Sequence, residues 1–436
     1  MTSEVTSQDS IALVFAERNR GRLRFCHDTG RWFTWEGSHW RKDNKETGYQ
    51  LVRGVCRQLS QADRDGARRS MLKAQFISGV ERLARGDPRL SVTSADWDQD
   101  HFLVGTPEGT VDLKSGILRP ADPRDGITKL AAVSPSEAID CPRWLAFLDE
   151  ATGGDRELIR FLQQWCGYAL TGVTWAHALV FVYGPGGNGK SVFLNVLTGI
   201  LEDYATTAAM DTFTASRSEK HSTDLAMLRG ARLVTASETE EGRAWAEARI
   251  KQMTGGDPIT ARFMHRDNFT FIPQFKLTIV GNHHPVLRNV DDAARRRFNI
   301  VPFTRKPVRP DRELEGKLRT EWPGILRWMI EGCLDWQENG LIRPASVTAA
   351  TEAYFSDQDI MARWLEDSCD ADPENPHKWE ASRDLYASWA NYAKAAGEEA
   401  GTAKSFASAL QRRGFTPHRM TAVRGFRGLR LKVQQG

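Results

Sequence analysis

The sequence predicts an α/β protein: a phosphate-loop core built on a parallel sheet, preceded by a mixed α+β region and followed by a basic helix-and-strand region. Three observations predict it. Leu179–Tyr183 is an apolar run of the kind that forms a strand buried on both faces. It leads directly into Gly184-Pro185-Gly186-Gly187-Asn188-Gly189-Lys190-Ser191, which satisfies the G-x-x-x-x-G-K-[ST] spacing. Val192, Phe193, Val196 and Leu197 then fall at helical spacing, so the context is strand, loop, helix.

Each residue type in that loop has a physical task. Glycines let the backbone curl with its N–H groups turned toward an anion, and the following helix presents its positive dipole end. Lys190 is expected to reach the β- and γ-phosphates, and the Ser191 hydroxyl to hold Mg²⁺. An ordinary Gly-rich turn is the plain alternative, but the flanking strand and helix argue against it. A nucleoside triphosphate is the expected ligand.

The chain has 436 residues, room for about two to four domains with their own cores. Its hydrophobic and charged fractions, 40% and 26%, are those of an ordinary soluble protein. With a net charge of only +3, any nucleic-acid surface has to be a local patch. No stretch reads as a signal peptide or an apolar span, so a cytoplasmic protein is expected. Cys26, Cys56, Cys141, Cys166, Cys333 and Cys369 are scattered without a C-x-x-C pair, which speaks against a zinc site or a disulfide framework.

Taken in order, a short helix begins near Ile11. Leu23–Gly30 and Arg31–Gly37 read as paired strands, with Trp32, Trp35 and Trp40 more plausible as sheet core than as base-stacking rings. Arg53, Arg57, Arg64, Arg68, Arg69 and Lys73 lie on a helix whose basic side is by default a solvated face. Asp96-Trp97-Asp98-Gln99-Asp100 invites a metal reading, since alternating acids on a strand share a face. Loop entry is the stronger reading there. Phe102–Gly105 and Gly109–Leu113 form a hairpin rim. Pro142 to Leu170 is helical, with a stripe through Trp144, Phe147, Leu148, Ile159, Phe161, Leu162 and Trp165 that suits either an oligomerisation collar or a core helix pair.

Downstream of the loop, four features follow. Ala231–Ala236 is a strand ending in Ser237 and Glu238, and an acid at such a tip can polarise water or engage Mg²⁺. Lys251 opens a segment that reaches Asp257, followed by two strands flanking a tip with His265 and Arg266, a basic hairpin able to grip a phosphate backbone. Phe275–Val280 is a strand ending in Gly281-Asn282, and a polar residue at a strand's C-terminal tip is where an open α/β sheet meets its ligand. Arg295, Arg296 and Arg297 precede another apolar strand, Asn299–Phe303.

In that order, these motifs resemble the superfamily 3 helicases, and most closely the branch found in phage and plasmid primase-helicases and the poxvirus primase-helicase. The resemblance covers about residues 20–430. It implies an AAA+ type ATPase assembled as a hexameric ring around DNA. It further implies that Lys190 and Ser191 hold ATP and Mg²⁺, that Glu238 activates water as a catalytic and metal-engaging acid, and that Asn282 senses the γ-phosphate. Arg296 or Arg297 would act as a finger entering the neighbour's site, with Lys251 at that same shared site. His265 and Arg266 would be the moving hairpin tip. A primase domain usually precedes this region in members that prime DNA, so primer synthesis is not assigned. Single-stranded and forked DNA and copies of the same chain are the expected partners, and a separate primase or replication protein is a further candidate. A non-translocating remodelling ATPase and an origin-binding initiator are the competing functional readings.

The C-terminal part reads as a helix from Glu313 to Asp335 broken near Pro323, another from Ile360, a linker at Pro373–Pro376, helices around Leu385–Trp389 and Ser405–Leu410, and two short strands with Gly425 and Gly428 between them. That order suits a winged helix. Beyond Glu399 there is no acid, whereas Lys404, Arg412, Arg413, Arg419, Arg424, Arg427, Arg430 and Lys432 are basic. One-sided charge of this kind is a phosphate-backbone footprint, and Arg412, Arg413, Arg424 and Arg427 are the expected contacts. The expected domains are therefore 1–135, a helical collar at 136–175, the ATPase at 176–305, a helical extension at 306–372 and the basic domain at 373–436.

Overall fold

A computed structural model describes residues 7–62, 68–215, 223–237, 244–264, 267–283, 285–287, 292–396 and 399–432. It contains two compact units, Met1–Pro285 with Arg296–Thr348, and Val286–Arg295 with Ala349–Gly436. The larger unit is mixed α/β. At its start β1 (Leu23–Cys26), β2 (Arg31–Trp35) and β3 (Trp40–Lys42) form an antiparallel meander, and β4 (Ser91–Val92) adds to β1 in parallel. Trp32 and Trp40 are buried in this part's own clusters, so the tryptophans serve as core. A second antiparallel sheet, β5 (Leu103–Thr106), β6 (Gly109–Asp112) and β7 (Ile117–Arg119), is the expected hairpin rim with one more strand.

The central sheet is parallel and five-stranded. Its members are β8 (Leu179–Tyr183), β9 (Ala205–Thr207), β10 (Leu233–Ser237), β13 (Lys276–Gly281) and β14 (Phe298–Pro302), in the spatial order β14-β8-β13-β10-β9. Every residue of β13, and all of β8 except half-buried Tyr183, is buried, which is why β8 reads as a continuous apolar run rather than an alternating one. The edge strand β9 has no such signature, being three residues of Ala and Thr after a 3₁₀ turn. An antiparallel hairpin, β11 (Ile259–Arg262) and β12 (Asn268–Phe271), is inserted before β13.

Helices Pro142–Thr152 and Arg156–Leu170 bury their apolar stripes in the main core together with helix Trp322–Asn339. Trp144 lies parallel to Phe193 of the post-loop helix, with centroids 5.8 Å apart, and Trp165 donates to Thr278 Oγ1 of β13 at 2.9 Å. The stripe is therefore occupied within the chain, and each fully buried large side chain in it contributes about 1.5–3 kcal/mol. The helix break anticipated at Pro323 falls just before it: Leu314–Arg319 ends, and Pro323 sits in the first turn of Trp322–Asn339, where its missing N–H costs nothing.

Two buried cations fasten the N-terminal ends of β10 and β13. Arg232 donates to Leu170 O at 2.6 Å and to Leu103 O at 2.8 Å. Lys276 donates to the Thr171 carbonyl, to Gln274 O at 3.1 Å and to Val173 O at 3.3 Å, with the Tyr168 ring 4.8 Å away. Both sit at the C-terminal end of helix Arg156–Leu170, where the dipole favours positive charge.

In the smaller unit, helices Ile360–Ser368, Ser382–Ala395 and Ala403–Arg412 pack around Trp364, Leu385, Phe406, Leu410 and Phe426. β15 (Cys369–Ala371) pairs with β19 (Leu429–Leu431), and β16 (Trp379–Ala381), β18 (Val423–Arg427) and β17 (Thr416–Met420) form a three-stranded sheet. The tail thus holds three strands where two were expected. Gly425 lies inside β18 rather than between strands, because a Cβ there would meet the Glu380 carbonyl and the Trp379 ring. All six cysteines are buried and free. Among the described residues no helix is long and apolar enough to cross a membrane.

Candidate functional site

The loop after β8 is held in one shape by its own side chains. Gly187 and Gly189 adopt φ of +79° and +88°, the left-handed region that glycine enters without steric cost. A Cβ on Gly184 would overlap the Phe303 carbonyl and the Asn188 amide, and one on Gly189 would stand 2.5 Å from the Phe147 ring. Asn188 is a brace: its Nδ2 donates to the Phe303 carbonyl across to β14, and its Oδ1 accepts from Lys190. Lys190, only 7% exposed, donates to Gly184 O at 2.5 Å, Asn188 Oδ1 at 2.9 Å and Pro185 O at 3.3 Å. Burial holds its pKa below the ordinary lysine value.

Gly186 meets nothing on the side where a Cβ would stand, and the backbone N–H groups of Gly186 through Ser191 donate to no acceptor among the described residues. Helix Lys190–Leu201 begins at the loop's end, with Gly189 as its cap and Ser191 exposed in its first turn. Unsatisfied donors, a helix N-terminus and a poised ammonium make up the donor set of a polyphosphate cradle. The residues present fit a nucleoside triphosphate.

Strand register decides what stands beside this loop. Gly281 of β13 pairs with Tyr183 of β8, so Asn282, exposed at the strand's tip, is level with Gly184. β10 ends alongside at Ser237, opposite Val280, and Glu238 lies outside the described residues. The arginines stand elsewhere. Arg296 and Arg297 close helix Asp292–Arg297 immediately before Phe298, which pairs with Leu179 at the start of β8. At about 3.3 Å per strand residue, Arg297 is roughly 20 Å along the sheet from Gly184, farther than its side chain spans. Its neighbour there is helix Glu247–Gly255, which carries half-buried Lys251; a Cβ on Gly255 would be 3.9 Å from Arg297 Nη2. Lys251 and the arginines thus share one end of the strands and the phosphate loop occupies the other.

The basic hairpin forms as expected, with Arg262 opposite Asn268 at its last pair. His265 and Arg266 at its tip lie outside the described residues. What the sequence reading overlooked is the aromatic character of the hairpin: Phe263 and Phe269 stack, 5.3 Å between centroids and 21° between planes. In the tail, Arg412, Arg424 and Arg427 are exposed, and Arg427 is 2.9 Å from His418 Nε2. Arg413 differs from these three in being half-buried. It is held by Asp359, the capping residue of helix Ile360–Ser368, at 2.6 Å. The acids at 96–100 also find structural work: Asp98 accepts from Thr128 N at 2.9 Å, Asp100 from Phe102 N at 2.8 Å, and Asp96 from Thr93 N at 2.7 Å. Among the described residues no cluster suits a metal ion.

Residues 12–153 match the family described as "D5 N terminal like", and residues 182–297 match a "Family of unknown function (DUF5906)". The second span runs from β8 through the arginine helix, so it takes in the loop, the hairpin and Asn282. "Putative helicase L207/L206" of Acanthamoeba polyphaga mimivirus is 25% identical over 294 residues, 62% of this chain and 31% of its own length. "Putative helicase 022R" of Frog virus 3 is 25% identical over 289 residues, 61% of this chain and 28% of its own length. Together these matches support a helicase of the phage and viral superfamily 3 kind. The chain spans under a third of the length of these curated relatives. The fold of the chain is that of the NrS-1 C-terminal region (305-718), with a TM-score of 0.54 at 10% identity, covering 97% of this chain and 99% of the other. A second form of that region gives a TM-score of 0.52 over 96% of this chain.

Proposed function

We propose that this chain is the ATP-driven motor of a replicative DNA helicase of a phage, plasmid or related mobile element, with an AAA+ type core and a winged-helix-like basic domain at its end. The observation that carries the proposal is the separation of the loop from the arginines. Lys190, Ser191 and Asn282 belong to the C-terminal ends of the strands, while Lys251, Arg296 and Arg297 belong to the N-terminal ends. A site that needs both sets is complete only where the loop of one copy faces the arginine helix of another, and head-to-tail repetition of such a contact closes into a ring. A homo-hexamer is the assembly we propose.

In this reading the loop N–H groups and Lys190 bind and orient the ATP phosphates, and the Ser191 hydroxyl with Glu238 holds Mg²⁺. The cation supplies charge neutralisation of the phosphates. Glu238 takes up the proton of the attacking water, Asn282 orients that water or reads the γ-phosphate, and the partner copy's arginine end stabilises the charge that develops on the transferred group. Hydrolysis then moves the hairpin tip, His265 and Arg266, along single-stranded DNA, with Arg412, Arg424 and Arg427 adding backbone contacts.

Purified protein is expected to unwind a forked duplex with ATP and Mg²⁺ and not without them, and strands with a 3′ or a 5′ tail alone give the polarity. ATP hydrolysis that single-stranded DNA does not stimulate, together with no unwinding of either fork, overturns the proposal in favour of a remodelling ATPase.

A further inference from the structure

We infer that Phe263 is a base-stacking platform for single-stranded nucleic acid, which gives the hairpin a grip on bases in addition to any grip on phosphates. This rests on the hairpin-as-DNA-contact reading above and extends it to a residue outside the basic tip. Along one face of the hairpin, Phe271, Phe269 and Phe263 follow at two-residue spacing across β11 and β12, with Ile259 and Ala261 beside them. Phe271 is buried at 8% exposure and Phe269 half-buried, whereas Phe263 is 41% and the adjacent Met264 73% exposed. Phe269 and Phe271 have centroids 6.0 Å apart. The stripe is therefore core at its inner end and surface at its outer end.

The rings are arranged for stacking. Phe263 lies nearly parallel to Phe269, and the Arg229 guanidinium sits 5.2 Å from the Phe269 centroid. A ring held by a second ring and a cation beneath it loses little further freedom when a flat partner adds to the open face. Exposed Arg229, beside the Phe269 ring, and exposed Arg262, at the hairpin's last pair, bring positive charge to the hairpin, which suits a polyanion that carries flat bases and discourages a purely apolar protein partner. Aromatic platforms of this kind bind any base, because every base has a π-face. A motor that tracks a strand irrespective of sequence needs that tolerance.

The test compares two fluorescein-labelled 20-mers, oligo-dT and the same sugar-phosphate chain with abasic residues, bound to the full chain with Mg²⁺ and a non-hydrolysable ATP analogue. Phe263→Leu is expected to weaken oligo-dT binding roughly five- to a hundredfold, the range that one base–aromatic stack supplies. It is expected to leave abasic binding and the slope of affinity against salt unchanged. Phe263→Trp is expected to retain oligo-dT binding. An equal loss on both strands, or no loss on either, overturns the platform while leaving DNA binding by the hairpin intact. A loss of self-association in Phe263→Leu, followed by sedimentation, overturns it in favour of contact with a second copy. If the wild-type chain binds neither strand, the platform falls together with the helicase reading, and that outcome is distinct from the others.

Discussion

At the C-terminal ends of the central strands the chemistry is largely closed on itself. Lys190 has three acceptors within 3.3 Å, Asn188 ties the loop to the carbonyl of Phe303, and glycines occupy the positions where a Cβ would collide. At the N-terminal ends the cations divide into two kinds. Arg232 and Lys276 are buried against carbonyls and serve the fold. Arg296 is exposed, and Arg297 neighbours the helix that carries Lys251. The contrast teaches that, in the proposed ring, residues close in sequence order would serve the sites of different copies. It also tells which substitutions ought to be rescued by mixing chains and which ought not.

The largest effect is expected where the comparison is most easily broken. Arg296→Ala/Arg297→Ala should retain ATP binding and lose roughly 10³–10⁵ in hydrolysis rate, about 4–7 kcal/mol of barrier. Mixing that protein with Lys190→Ala chains should restore a fraction of turnover, since some interfaces then join an intact loop to intact arginines. Absence of recovery in the mixture, or near-normal turnover of the double variant alone, would show that the two ends do not meet across copies.

Next in size, Gly184→Ala tests whether the loop end is as tightly closed as it looks. The added methyl group overlaps the Phe303 carbonyl, and overpacking of this sort costs about 1–3 kcal/mol. The melting temperature should fall and ATP affinity should drop at least tenfold by calorimetry, whereas Gly186→Ala, with open space at its Cβ position, should change the melting temperature little. Equal melting temperatures for the two variants would remove the distinction.

A third effect concerns the buried cations at the opposite end. Burial pushes Lys276 well below its ordinary value, so between the folded and unfolded values the unfolded chain binds the additional proton. Stability should therefore rise with pH up to the ordinary lysine range near 10.4, by at most about 1.4 kcal/mol per pH unit. As pH falls through that window, the contribution is lost. Lys276→Met should flatten this slope in urea titrations over the pH range just below that value. A slope unchanged by the substitution would mean that the carbonyls around Nζ keep the ammonium charged in the folded state.

How much of this was legible in the sequence follows from what each signal encodes. The loop, the strands before and after it and the hairpin are local, and their apolar runs and glycines report burial and backbone shape directly. β9 escaped because a three-residue edge strand of Ala and Thr carries no periodicity. The strand order placing β13 between β8 and β10 is a property of pairing, and no stretch of sequence states it, although Asn282 was already marked as a tip residue. Arg413 was grouped with its neighbours by charge alone, and its bond to Asp359 spans 54 residues. Phe263 was passed over because an apolar residue in a strand reads as core until its exposure is known.

The smallest expected effect separates binding from stability in the smaller unit. Arg419 and Arg424 are directly paired across β17 and β18 and both are exposed. Like charges in that relation destabilise a hairpin by a few tenths of a kcal/mol to about 1 kcal/mol relative to neutral pairs. A pair that costs stability in the free protein is relieved when a phosphate comes between the two guanidinium groups. Arg424→Thr, which places a β-branched residue in the strand, should therefore stabilise the chain by about 0.5 kcal/mol in denaturant unfolding and weaken DNA binding. The slope of log affinity against log salt should fall by about one. A variant that gains stability and keeps the full salt slope would assign the pair to no phosphate contact, and would leave the hairpin's charge as a feature of solubility.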